Sequence, residues 1–264
     1  MVEGQLAITR LAGSPTCAEV LVVGPSLGTS VEALWGAAAS LLSERFEVFG
    51  WDLPGHGRSR PATAPFSVAE LAAEVRRIGA TVASGGSRPV SYAGVSLAGA
   101  VGLELAIDPG PFAAVGCFAS AAKISEPDAW RDRAALVRRA GTPVMVAGSA
   151  QRWFAAGFVD RDPATANRLL LSLSDADAES YSLACEALAD FDLRARLDQV
   201  AVPLVVAPGE HDPVVTVELA TATAAAAPGA RLHVMAGCAH LPPAEDPSGT
   251  AYLLLHHLEE GSRA

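Results

Sequence analysis

The segment Pro89-Val90-Ser91-Tyr92-Ala93-Gly94-Val95-Ser96-Leu97-Ala98-Gly99 carries the strongest structural signal in this chain. A run of strand formers ends at Gly94, a serine follows two residues on, and helix-forming residues begin at once. A tight strand–turn–helix needs small residues two positions either side of its central serine, because side chains there would collide. Gly94 meets that need, and Ala98 stands where a second glycine is usual. Such an elbow presents the Ser96 hydroxyl at the carboxyl end of a strand. A plain serine N-cap at a strand-to-helix junction is the competing account of these five residues.

Valine-rich apolar runs lie on both sides of this segment, at residues 18–23, 46–51, 113–118, 202–207 and 231–235, besides 89–95 itself. Continuous rather than alternating hydrophobicity suits strands buried on both faces of a parallel sheet. Helical periodicity covers 31–43, 68–82, 97–107, 215–226 and 248–258. The alternation predicts a doubly wound α/β layer structure. It breaks once, from about Lys123 to Leu197, where helical patterns and clustered charge hold no convincing buried strand. The run 143–147 is apolar but isolated. A structureless loop of that length does not suit a compact domain. Residues 123–197 are therefore expected to form a helical cap, and 1–122 with 198–264 the core.

Half of the 264 residues are apolar and 18% are charged, which excludes global disorder and allows a sizeable core. Lysine plus arginine is 19 against 29 for aspartate plus glutamate, a net charge of −10. That balance argues against nucleic acid and anionic membranes as partners, although one buried arginine can still hold a small carboxylate. Cys17, Cys117, Cys185 and Cys238 are scattered without metal-ligand spacing, so buried free thiols and no metal are expected. Met1-Val2-Glu3-Gly4-Gln5 lacks the basic and apolar blocks of a leader, and no apolar stretch of about 18 residues could span a bilayer. A cytoplasmic location is the expectation.

Serine is a weak nucleophile at neutral pH and needs a general base that a carboxylate orients. In enzymes built on such an elbow, the acid and then the histidine follow the serine in the chain. Pro208-Gly209-Glu210-His211-Asp212-Pro213 follows one predicted strand and Gly237-Cys238-Ala239-His240-Leu241-Pro242 the next. Asp212 and His240 thus fall on successive loops at the sheet edge that carries Ser96, where open α/β sheets hold their sites. Glu210 is the rival carboxylate, and His211 is a poorly placed rival base. The oxyanion formed on attack needs two backbone N–H donors. Leu97 supplies one, and the loop Gly24-Pro25-Ser26-Leu27-Gly28-Thr29 the other, from Leu27 first and Ser26 second. Pro25 has no N–H to give. The stretch from Asp52 to Ser59 holds residues of catalytic type but reads as a structural turn, with Asp52 bonding local amides.

With these residues in place, the chain resembles the α/β-hydrolase superfamily over nearly its whole length, and within it the 3-oxoadipate enol-lactonases. Ser26 to Thr29 with Trp35, Asp52 to Ser59, Gly94 to Gly99, and Asp212 with His240 carry the wider resemblance. Ala122-Lys123-Ile124, Trp130 with Arg133, Arg152-Trp153-Phe154, and the run from Cys185 to Arg194 carry the narrower one. Pro25 departs from the usual Asn or His, and Ala98 from the usual Gly. The resemblance implies a mostly parallel sheet flanked by helices with a helical cap. It also implies a cofactor-free serine hydrolase that opens 3-oxoadipate enol-lactone to 3-oxoadipate, in aromatic degradation through the β-ketoadipate route.

Ser26, Trp130, Arg133 and Trp153 are the expected substrate contacts. Arg133 follows Trp130 at helical spacing and would meet the lactone's free carboxylate, with Arg152 as the alternative. Solvated helix surface is the competing account of both arginines. A carboxylesterase, a cofactor-free haloperoxidase-like perhydrolase or a C–C bond hydrolase would keep the same three residues. A non-catalytic small-molecule binder is the reading from another class. The oligomeric state stays open.

Overall fold

A computed structural model describes residues 6–83 and 88–261; the Met1–Gln5 stretch inspected for a leader lies outside the described residues. The chain runs β1 (Ile8–Ala12), β2 (Glu19–Gly24), α1 (Val31–Leu42), β3 (Phe46–Trp51), α2 (Val68–Ala83), β4 (Val90–Val95), α3 (Leu97–Ile107) and β5 (Phe112–Phe118). Five helices follow: α4 (Pro127–Ala140), α5 (Val146–Trp153), α6 (Phe158–Arg161), α7 (Pro163–Asp175) and α8 (Ala178–Ala189). Then come β6 (Leu204–Ala207), α9 (Val217–Ala226), β7 (Arg231–Leu232), α10 (Pro242–Glu245) and α11 (Pro247–Gly261).

The strands form one sheet in the order β1-β3-β2-β4-β5-β6-β7. Only β1 is antiparallel; every other pair is parallel. All residues of β2 and β4 are buried, as unbroken apolar runs require. From β2 the chain steps outward to β3, then crosses back to β4 on the other side of β2. The carboxyl ends of β2 and β4, in register at Gly24 and Gly94, therefore flank a point where the strand order reverses. Ligands of open α/β sheets bind at such a crevice.

Three features add to or correct the sequence reading. Strand β1 was not foreseen: it lies at the sheet edge, only half buried, with no continuous apolar run. The isolated apolar run at 143–147 is a 3-10 turn over Thr142–Met145 that leads into α5, because Pro143 at its start suits a helical turn. The strand expected over 231–235 is two residues long, with Met235 reaching Gly209 through a single bridge. All four cysteines are buried and free. Among the described residues, no helix is long and apolar enough to cross a membrane, and no group of three or more His, Cys, Asp or Glu is placed to hold a metal ion.

The turn after β3 is structural, as expected. Asp52 accepts the Val31 N–H at 2.8 Å through Oδ1 and the Arg58 N–H at 2.9 Å through Oδ2. One carboxylate thus joins the start of α1 to the turn. His56 in that turn is buried, stacks 6.0 Å from Tyr181 of α8, and contacts the Pro54 carbonyl through Nδ1 at 2.8 Å. Burial holds its pKa at about 4 against an ordinary 6.5. Because the unfolded chain binds this proton more readily, His56 favours the fold above pH 6.5, and that benefit drains away as pH falls toward 4. Urea unfolding should lose about 2 kcal/mol of this histidine's contribution between pH 7 and pH 5. His56→Gln should flatten that slope, and an unchanged slope would show that the acid sensitivity lies elsewhere.

Candidate active site

Ser96 joins β4 to α3 with φ 56° and ψ −112°, backbone values that a non-glycine residue adopts only under constraint. Its N–H donates to the Phe118 carbonyl at 2.9 Å, and its carbonyl accepts from Ala100 at 2.8 Å. The side chain makes no capping hydrogen bond, unlike that of an ordinary N-cap serine. Gly94 has no alternative here: a Cβ on it would lie 2.2 Å from the Ala98 carbonyl oxygen. The departure at Ala98 is explained by its neighbour. A Cβ on Gly24 would lie 2.6 Å from the Ala98 methyl, so the bare glycine in β2 leaves the space that the methyl occupies.

His240 Nδ1 lies 2.8 Å from Asp212 Oδ2, with side chains 4% and 0% exposed. Asp212 Oδ1 accepts the Val214 and Val215 amides at 2.7 and 3.1 Å, which fixes the carboxylate in one orientation. The rivals point elsewhere. Glu210 is half exposed and accepts the Gly237 amide, while His211 is exposed.

In the loop after β2, the Ser26 N–H is taken by Thr29 Oγ1 at 3.1 Å, and Trp35 Nε1 donates to the Gly24 carbonyl at 2.8 Å. The Ser26 amide is therefore committed. The Leu27 and Leu97 amides donate to no protein acceptor among the described residues. Buried N–H groups rarely remain unpaired in native structures. Gly28, at φ +90°, is met by α7: a Cβ there would come within 2.6 Å of Leu173 Cδ1.

Ser26, Leu27, Ser96 and His240 line one small cavity of about 20 Å³. Trp130 and Arg133 of α4, with Arg152 and Trp153 of α5, close it from the opposite side. The spacing of Trp130 and Arg133 does place them together, the guanidinium carbon 4.6 Å from the indole centroid. Neither Arg133 nor Arg152 is solvated surface, and neither forms an ion pair among the described residues. Burial, and then the charge of Arg133, pull the Arg152 pKa down. Burial pushes the Tyr181 phenol up to about 12, while both guanidiniums act against that shift. The cavity wall is thus positively charged in a protein of net charge −10.

Ser149, Tyr181 and Val214 also line the cavity and were not anticipated. Ser149 stands at i−3 and i−4 from Arg152 and Trp153, a helical spacing that could have found it. Tyr181 carries no local signal, because α8 brings it in only through packing on α4.

This sheet, its elbow and the loop order define a class. The alpha/beta hydrolase family pattern matches residues 20–251, and the chain belongs to that family. It is 34% identical over 198 residues to 3-oxoadipate enol-lactonase 2 of Acinetobacter baylyi, covering 75% of this chain and 73% of that relative. It is 30% identical over 216 residues to 3-oxoadipate enol-lactonase 1 of the same organism, covering 81% and 79%. The crystal structure of the enol-lactonase from Burkholderia xenovorans superposes with a TM-score of 0.90 at 26% identity, over 98% of this chain and 99% of that one. The protein is a carboxylic ester hydrolase.

Proposed function

We propose that this hydrolase opens 3-oxoadipate enol-lactone to 3-oxoadipate, with Ser96 as nucleophile, His240 as general base and Asp212 as its orienting acid. The observation that carries the reading is one cavity shared by Ser96 and His240, the imidazole being paired with buried Asp212, beneath Arg133 and Arg152, which form no ion pair among the described residues. The resemblance to the two enol-lactonases of Acinetobacter baylyi supports the substrate, and so the β-ketoadipate route. Residues 123–197 act as the cap over a core of 1–122 and 198–264.

Ser96 Oγ attacks the lactone carbonyl while its proton passes to His240 Nε2. Asp212 holds the ring tautomer and stabilises the imidazolium. The Leu27 and Leu97 amides take the developing oxyanion. Collapse breaks the ring C–O bond and expels an enolate, a better leaving group than an alkoxide. His240 returns its proton to the enolate, which becomes the ketone. Water then attacks the acyl-enzyme, giving a proton to His240; the Ser96 Oγ–acyl bond breaks, and His240 passes that proton to Ser96 Oγ as the acid is released. No metal or cofactor enters this scheme.

Turnover of the enol-lactone should greatly exceed that of a neutral aryl ester. Equal rates would make the protein a general carboxylesterase instead. A fluorophosphonate should label Ser96; folded protein that resists labelling would be a binder. The free carboxylate is assigned to Arg133 with Arg152, since an unpaired carboxylate in a dry pocket is costly. Arg133→Met should raise KM for the lactone acid by about 1.5–3 kcal/mol, roughly ten- to a hundredfold, the range of a charge-assisted hydrogen bond. The aryl ester should be nearly unaffected. Equal losses on both substrates would make Arg133 structural.

A further inference from the structure

We propose that Glu245 is a positioning residue that holds His240 in register with the Trp153 wall of the cavity, an inference that rests on His240 being the general base. Leu241-Pro242-Pro243 starts the short helix α10, which turns Glu245 back beneath the histidine loop. Glu245 is 7% exposed and has no cationic side chain bonded to its carboxylate among the described residues. Three backbone N–H groups satisfy it instead. Oε2 accepts Ala239 at 2.9 Å and Leu241 at 3.2 Å, and Oε1 accepts Ala155 at 2.6 Å.

Ala239 and Leu241 are the neighbours of His240 on either side. The His240 amide itself donates to the Trp153 carbonyl at 3.1 Å. Three consecutive N–H groups around the histidine are therefore held by two acceptors, and Ala155, two residues past Trp153, ties those acceptors to each other. The closed ring of bonds spans the core and α5, and it sets the imidazole against the wall that the substrate must touch.

Only a carboxylate suits this place. All three partners are donors, so glutamine would turn an NH₂ toward an N–H and break one side of the ring. Burial raises the Glu245 pKa, and the three amides and the nearby His240 pull it back. Burying a carboxylate without a cation is costly, and here the result is a fixed base rather than an ion pair. Nothing in the family-wide serine, acid and histidine order points to this residue; its signal is the hydrogen-bond ring alone.

The test uses Glu245→Gln and Ala155→Pro in the full chain, beside His240→Ala. Ala155→Pro deletes the donor on the Trp153 side, and Phe154 already has the extended backbone, φ −117° and ψ 137°, that precedes proline well. Glu245→Gln should lower kcat on both lactone and aryl ester by about 10- to 100-fold, the scale of an ångström-level misplacement, with KM within about twofold. Ala155→Pro should lower kcat in the same direction by less. The downfield Nδ1–H proton resonance of His240, identified by its loss in His240→Ala, should shift in both variants.

Wild-type kcat in Glu245→Gln overturns the proposal, as does a fall in kcat matched by a rise in KM with the resonance unmoved. Should Glu245→Gln fail to fold, wild-type kcat in Ala155→Pro overturns it. Full activity in His240→Ala would instead overturn the reading on which the proposal rests.

Discussion

Ser96→Ala and His240→Ala are each expected to lower kcat by about 10⁴- to 10⁶-fold, and the double variant scarcely further, because in the proposed mechanism nucleophile and base act as one unit. Without His240, the Ser96 hydroxyl keeps its proton and attacks slowly. Without Ser96, the imidazole has no proton to take. The two losses are one loss counted twice. Thermal unfolding should barely change for Ser96→Ala, since alanine keeps the Cβ and the same φ of 56°. Steady-state rates on the lactone and on an aryl ester check this, and a single variant with near wild-type turnover would remove that residue from the mechanism.

Asp212→Asn should lower kcat by about 10⁴-fold while leaving the fold intact, because it changes which imidazole nitrogen carries the proton. Asp212 Oδ1 is committed to two amide donors, Val214 and Val215, and Oδ2 faces His240 Nδ1. In asparagine the carbonyl oxygen must stay with the two amides, so the NH₂ faces Nδ1. That nitrogen must then accept, the proton moves to Nε2, and the base that should take the Ser96 proton is blocked. Substrate KM should stay close to wild type. Unchanged kcat would assign the acid to another carboxylate, with Glu210 next in line on the same loop.

The two outcomes bear on how much of this protein its sequence discloses. The elbow around Ser96 was legible because its sterics are local: a Cβ at Gly94 would strike the Ala98 carbonyl, whatever the rest of the chain does. Strands β2 to β5 were legible to within about one residue because both their faces are buried, so their apolar runs are unbroken. Strand β1 was not, since an edge strand exposed along one side needs no such run and is defined by its partner β3. Asp212 and His240 were candidates by loop order, and the structure brings the two side chains together. Arg133 and Arg152 were found as residue types, but whether they faced solvent or cavity depended on how α4 and α5 pack. Tyr181 and Glu245 entered only through tertiary packing, whereas Ser149 was within reach of the helical spacing from Arg152 and Trp153. Glu245 looks in sequence like an ordinary surface acid between Ala244 and Asp246; a two-proline turn buries it.

The cavity above Ser96 encloses about 20 Å³, which is room for roughly one water molecule. The lactone proposed as substrate, a ring with an acid arm, is larger than that space. Entry of such a molecule calls for the side chains that line the cavity to move, and the Trp153 end of α5 is fastened to the histidine. The working cycle gains a step that bond-breaking does not set. For substrates with good leaving groups, kcat/KM should level off at the frequency with which the protein admits a guest, so a series of ever more activated aryl esters would cease to react any faster.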